Sequence, residues 1–454
     1  MSNSEPRLNF IIVGASIAGL ASAIALKRSR HNVLVLEKET ILGGTSVPPG
    51  CARVPPNGSK ILFDWGLRAQ TKGSAYTSLA FAVYKSPDLD FMGLNTWDPE
   101  LLSEARGDFC DIKHQDLLRI LYEEATKPST QENLVPHVAV LFGAEVVKVD
   151  CDNCSVTLLS GEIHTGDAII GADGAYGPVR RMLIEAENVD PRSCDTPTGM
   201  TLYSAKIPRA AAIDHPQLAL FYEYPKCTVE MGSNRGAFTA SVGIENDIGL
   251  WVYTPDSTED GCWTRVAGRK LVDILDAWDP QIKMLASLAG PATCVQIKDH
   301  HELESWVSRN GRVIVVGEAA HPFPPAALHT YSVALEDGAF IGKVFSHTRD
   351  RVRIPEFFNA FEEHRRPRCM QIREIEKRYI ELITLPDGGR QKARDEAMRA
   401  NHAAGRNVME VPGSDLQQMV DATRMIFAYD PSDDADEWWM SWGRLRDSAK
   451  AATE

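Results

Sequence analysis

A chain of 454 residues with a net charge of −14, from 62 acidic and 48 basic side chains, is long enough to bury a large core and to form two or three domains. It has no basic block of the kind that tracks a phosphate backbone, which argues against a nucleic-acid partner, and no uninterrupted apolar run of the roughly eighteen residues that span a bilayer. Nine scattered cysteines and an N-terminus without the pattern of a secretory signal fit free thiols in a reducing, cytoplasmic setting.

The stretch NFIIVGASIAGLASAIALKRSRHNVLVLE at 9–37 reads as a strand, a tight turn, a helix and a second strand ending on an acid. Phe10 to Val13 form an apolar run typical of a strand buried on both faces. Gly14, Ser16 and Gly19 then fill the small positions of a G-x-G-x-x-G turn. Gly14 permits the turn, Ser16 lets backbone approach a pyrophosphate, and Gly19 lets the helix pack close to the sheet. The helix N-terminus offers free N–H groups to phosphate. Glu37, 18 residues beyond Gly19, is placed to bind a ribose. Its charge would repel a 2′-phosphate, so the site is expected to hold FAD or NAD rather than NADP.

The Gly- and Pro-rich stretch GGTSVPPGCARVPPN at 43–57 follows, a plausible wall for the far end of a dinucleotide, and then a helix from about Gly58 to Gly66. His114 to Thr126 carries Leu117, Leu118, Leu121, Tyr122 and Ala125 at helical spacing. From Ala144 to Ile170 the period changes to two, and EVVKVD, SVTLL and AIIGAD are predicted as a small meander returning to the main sheet. Cys151 and Cys154 lie in the turn of that meander, and no second pair completes a zinc site.

Residues 184–297 change character. MTLYSAKIP, LALFYEYP, AFTASVGIE and GLWVYTP are short alternating segments divided by Gly, Pro and Asn, predicting an antiparallel sheet free to cover a ligand. At 311 the chain returns to a doubly buried strand, RVIVVG, then a Pro-rich loop and a helix from Ser332 to Thr348. The remainder is predicted helical, interrupted near Pro367. The expected organisation is α/β: a Rossmann-like parallel-sheet domain at 1–183 with a return segment at 298–350, a mostly antiparallel substrate domain at 184–297, and a helical region at 351–454.

Two further strand ends carry motifs. IIGADGAYGPVRR at 169–181 holds Asp173, Gly174 and Arg180, and VIVVGEAAH at 313–321 holds Gly317 and Glu318. Ligands of an open α/β sheet sit beyond the carboxyl ends of its strands, so both loops and the Gly14 turn should meet at one crevice.

GASIAG with Glu37, the VPPNG loop at Val54 to Gly58, GADG with Arg180, GEAAHP with the following PP and ALED, and EEHRRPR at Glu362 to Arg368 together resemble the class A flavoprotein monooxygenases, among them the salicylate hydroxylase-like and p-hydroxybenzoate hydroxylase-like enzymes. The resemblance implies non-covalent FAD with Glu37 on the adenosine ribose, Asp173 and Gly174 near the pyrophosphate, and Gly317 and Glu318 near the ribityl chain. Val54, His114, Arg180 and Thr330 are the other implied contacts. It further implies NADPH or NADH as a transient co-substrate, and O2 forming a flavin C4a-hydroperoxide that hydroxylates or epoxidises a small aromatic or polyketide-like substrate. No protein nucleophile or metal is needed for that chemistry.

Against the family pattern, Gly-Asp is here Gly317-Glu318, Gln-Gly is His329-Thr330, the Arg of R-x-D-L is His114, and the Arg after the substrate-domain Tyr203 is Ser204. His329 is the candidate proton-transfer group and Tyr203 the second candidate catalytic residue, and Tyr203 and Arg235 are candidate ligand contacts in the substrate sheet. His321 is expected to be structural, His300 and His301 to lie on the surface, and Trp438, Trp439 and Trp442 to pack a helix. Two other functions fit the same scaffold: a non-oxidative cyclase or isomerase using His329, and a non-catalytic flavin-binding protein.

Overall fold

In the computed structural model the described residues are 7–44, 50–128, 137–255, 263–266, 268–275, 278–411 and 416–444. Five strands form an all-parallel sheet: β1 (Asn9–Val13), β2 (Asn32–Glu37), β3 (Val138–Phe142), β4 (Ala168–Gly171) and β5 (Val313–Val315), in the order β5-β4-β1-β2-β3. The central strands are covered on both faces, as their unbroken apolar sequences require. Helix α1 (Ile17–Arg28) follows β1, and Ser16 caps it by accepting the Gly19 N–H.

Nearly every residue of α1 is buried, because it lies between the sheet and α2 (Thr330–Val344). Glycines make that approach possible. A Cβ on Gly338 would fall 2.6 Å from the Ala21 carbonyl carbon, and one on Gly342 would fall 2.4 Å from the Ala25 Cβ. The helix expected at 58–66 runs from Pro56 to Asp64, with Pro56 in its first turn. The helix at His114–Thr126 is as expected, and the meander of Val146–Asp150, Ser155–Leu158 and Ile163–Thr165 hands the chain on to β4. Cys151 and Cys154 do lie in its hairpin turn.

The second sheet has eight strands, in the spatial order Thr264–Val266, Ala292–Asp299, Thr196–Ile207, Asp247–Pro255, Arg235–Val242, Cys227–Gly232, Ala80–Lys85 and Asp90–Thr96. One pair, Cys227–Gly232 with Ala80–Lys85, is parallel and the rest are antiparallel. The last two strands come from early in the chain, inside the stretch read from sequence as the dinucleotide-binding part. LALFYEYP is not a strand: Pro216–Leu218 and Ala219–Tyr222 are short helical turns. Within the turns Leu218, Phe221 and Tyr222 are buried, and that i, i+3, i+4 spacing is a helical face.

α3 (Ile354–Ile383) is one continuous helix of 30 residues, not two interrupted at Pro367. Pro367 and Glu363, whose carbonyl loses its i+4 donor, both sit on the exposed face where water can serve that carbonyl. The buried face of α3 is fixed by charge. Arg365 pairs with Glu336 at 2.7 Å and Asp337 at 3.0 Å, and Arg368 pairs with Glu336 at 3.2 Å. The ALED and EEHRRPR segments are therefore two halves of one buried ion network joining α2 to α3. Trp438 is buried against Phe357 and Trp439 stacks on His347, whereas Trp442 points to solvent.

Candidate functional site

Two connected cavities lie where the parallel sheet meets the eight-stranded one. An outer cleft of about 680 Å³ runs along the carboxyl ends of β1, β2 and β4. An inner cavity of about 270 Å³ continues beneath the second sheet. Gly43, His114, Leu118, Trp263, Glu318 and Pro325 border both.

The outer cleft is built largely from backbone. Gly14 has φ +102°, and a Cβ there would meet the Ala172 carbonyl oxygen at 2.5 Å, while one on Gly19 would meet the Gly14 carbonyl oxygen at 2.1 Å. The turn is thus closed to side chains, leaving Ser16 and the first turn of α1 facing a ligand. Glu37 holds the turn's shape, accepting the Ala15 N–H at 2.7 Å and the Glu39 N–H at 2.9 Å. Asp173 accepts the Val179 N–H through Oδ2 at 2.7 Å, and its Oδ1 is buried without a protein partner. Burial pushes the Asp173 carboxyl up to about 7. A buried acceptor with no protein donor, beside a helix N-terminus and a carboxylate on the next strand, fits a polar dinucleotide.

Gly14, Ser16, Glu37, Asp173, Gly174 and Glu318 all line this cleft, so loops starting at β1, β4 and β5 meet in one place. His114 borders both cavities. The protein packed around it disfavours the charged ring and lowers its pKa to about 4, so at neutral pH it is a neutral imidazole. Thr330 lines the inner cavity.

Other sequence candidates lie elsewhere. Gly19 and Gly317 work from behind the wall: a Cβ on Gly317 would strike the Ala18 Cβ at 2.7 Å, and its N–H is held by Asp337. Val54 is a core residue packed near Gly58 and lines neither cavity. Arg180 does not line the cleft. It is buried, with its guanidinium donating to the carbonyls of Ala319 at 2.8 Å and His301 at 2.5 Å, and so braces the loop that carries Glu318.

Tyr203 is fully buried among Ile207, Leu250 and Leu271 on the sheet face turned away from the cavity. Strand alternation puts its neighbour Ser204 on the cavity side instead. His329 is likewise turned inward: its Nδ1 meets Glu376 at 2.5 Å, its ring stacks on Phe427 at 5.5 Å, and it lines neither cavity. Such a histidine orients Glu376 and the start of α2, and its Nε2 is buried with no partner among the described residues.

His321 is structural, as expected. Burial opposes its charge, but Cys369 and Asp337, the latter 2.6 Å away, overcome that and raise its pKa to about 10. His300 and His301 are half-buried and paired, with Asp195 and Glu187 respectively, each at 2.8 Å, rather than free surface residues. Arg235 lies over Trp278 and borders a separate surface hollow.

Sequence reasoning overlooked Arg53 and Trp251, which line the inner cavity. Arg53 lies in the strand Cys51–Val54, within the stretch read only as a loop, and Trp251 is the inward residue of GLWVYTP. The aromatic residue inside an alternating strand was the available signal for the second; none singled out the first.

A family model described as an NAD(P)-binding Rossmann-like domain matches residues 12–86. The FAD-dependent monooxygenase OpS4 of Beauveria bassiana is 26% identical over 405 residues, covering 88% of this chain and 90% of its own. A salicylate hydroxylase of Pseudomonas putida is 25% identical over 421 residues, covering 85% and 88%. In fold, the chain is similar to the solved structure of CtdE with FAD and a substrate (TM-score 0.75, 17% identity, 97% and 100% covered). It is also similar to a salicylate hydroxylase substrate complex (TM-score 0.72, 17% identity, 95% and 97% covered).

Proposed function

We propose that this chain, which belongs over nearly its whole length with the flavoprotein monooxygenases and hydroxylases, is an oxidoreductase that binds FAD in the outer cleft and oxygenates a small organic substrate in the inner cavity. The observation that carries the reading is the meeting of Gly14, Glu37, Asp173 and Glu318 along one cleft that opens into a second cavity.

When bound, FAD reduced by NADPH or NADH supplies the oxygen-activating chemistry. The protein's share is placement. Glu37 would accept a ribose hydroxyl, Ser16 and the first turn of α1 would hold the pyrophosphate, and Asp173 Oδ1 would take up its missing hydrogen bond from the nucleotide. Glu318 and the neutral His114, at the junction of the cavities, would bond the part of the cofactor that passes between them. Thr330, at the start of α2, would face its inner end.

The inner cavity would keep water from the reacting centre. Its roof is the Pro-rich loop, which Tyr253 pins by donating to the Pro325 carbonyl at 2.8 Å. The substrate class supported is a small aromatic or polyketide-like molecule with an electron-rich carbon, because Trp251, Tyr331 and Leu118 offer it apolar surface.

Purification followed by an absorbance spectrum tests the first half: a yellow protein with near-stoichiometric FAD is expected, and a colourless one that takes up no FAD overturns the reading. Nicotinamide oxidation with candidate phenols and enols tests the second, with product heavier by one oxygen atom. Product of unchanged mass would instead favour an isomerase or cyclase, a reading that His329, which lines neither cavity, does not favour.

A further inference from the structure

Arg53 is half-buried and borders the inner cavity with its guanidinium over the rings of Phe238 (5.1 Å) and Trp251 (5.4 Å). Of its five N–H donors, one makes a bond among the described residues, to the Ala326 carbonyl at 2.5 Å. Among the described residues no carboxylate lies within ion-pairing distance of it.

The acid directly opposite in strand register is Asp111. Burial pushes that carboxyl up to about 7, with Arg53 pulling the other way, so near neutral pH it offsets only part of the arginine's charge. Glu376, on the far side, is engaged by the His329 ring and backbone. A stacked guanidinium with unused donors, bordering a cavity and lacking a paired acid, is an anion receptor, since arginine's planar fork suits delocalised oxygen pairs.

We propose that Arg53 anchors the substrate through a delocalised oxyanion, either a carboxylate or the conjugate base of an acidic enol or phenol. This rests on the inner cavity being the substrate site, as put forward above, and narrows the substrate class to acids. The anchor comes from the strand Cys51–Val54, which pairs with the strand leading into His114 at the junction of the two cavities, rather than from the eight-stranded sheet. It therefore fixes the substrate's charged end relative to the cofactor side of the cavity.

The bland alternative is that Arg53 only pins the Pro-rich loop through Ala326. Calorimetry and tryptophan-fluorescence titration of the purified holoenzyme separate the two, using aromatic acids paired with their methyl esters and enolic 1,3-diketones paired with their O-methyl ethers. Wild type should prefer the anion of at least one pair by about tenfold or more. Arg53→Gln should weaken that anion by about 10- to 100-fold and leave the neutral member within about threefold. Arg53→Lys, which keeps charge and a donor for Ala326, should fall between.

A carboxylate ligand would bind most tightly near pH 6 and weaken toward pH 9 as Asp111 ionises opposite Arg53, whereas an enol would tighten as it ionises itself. Equal weakening of anion and neutral partner in Arg53→Gln, or no anion preference anywhere in the wild-type panel, overturns the assignment. FAD content is measured on every variant. Loss of flavin from wild type would sink the oxygenase reading alone, because the anion preference is read without turnover.

Discussion

The two cavities are made in opposite ways. The outer cleft is shaped by backbone and by missing side chains, with Gly14 and Gly19 where no Cβ fits, and its polar groups are contiguous with strand ends. The inner cavity is shaped by side chains brought from far apart: Arg53 and His114 from the first third of the chain, Ser204 and Trp251 from the second sheet, Thr330 and Tyr331 from α2. A backbone-built site can bind one cofactor in many relatives, while a side-chain-built site can be refilled for each substrate. Damage to the first should remove flavin, and damage to the second should alter substrate binding in a protein that stays yellow.

The harshest test of that contrast is Gly19→Val. The new side chain would begin 2.1 Å from the Gly14 carbonyl oxygen, and FAD content in the purified protein should fall to background. Next, Arg365→Met leaves Glu336 and Asp337 buried and under-compensated, and chemical denaturation should show a loss of about 3–5 kcal/mol.

A smaller effect concerns Asp111 beside the inner cavity. Its folded pKa is raised from the ordinary 3.8 to about 7, so the folded state holds the proton more tightly than the unfolded chain. The Asp111 contribution to stability should therefore fall as pH rises from about 4 to about 7, by at most about 4 kcal/mol, and level off above. Asp111→Asn should remove that contribution, so that the difference in stability between wild type and variant changes between pH 4 and 7 in melting curves taken at several pH values. The mildest change, Ser204→Val, should shift KM for the substrate severalfold with FAD content unchanged. A colourless Ser204→Val protein would show that the two sites are not separable in this way.

What could be read from the chain follows the same division. Residues 9–37 carry strand, turn, helix and acid in one local run, and the ends of β4 and β5 carry their own motifs, so the parallel sheet and its cleft were legible. β3 was missed because its partner β2 is distant in sequence, and the hairpin of 80–85 and 90–96, which pairs locally, joins the second sheet only through the distant strand Cys227–Gly232. Tyr203 and His329 were misjudged for a sharper reason. Each sits one position from a residue that does face the cavity, Ser204 and Thr330, and a strand's alternation or a helix's first turn decides which one faces inward. Arg180 and the ALED acids were read as cofactor contacts or family marks, yet they hold loops and helices together from behind. Motif membership does not distinguish touching a ligand from supporting what touches it.

The uninterrupted course of α3 past Pro367 bears on how the molecule can be altered. At about 1.5 Å per residue its 30 residues form a rod of roughly 45 Å, with Phe357, Phe358 and Phe361 seated under the parallel sheet and Ile383 seated under the other. Transplanting the eight-stranded sheet from a relative, to import a new substrate preference, would therefore strand the far end of this rod against a foreign surface. A workable chimera must exchange the sheet and the terminal turns of α3 as one unit.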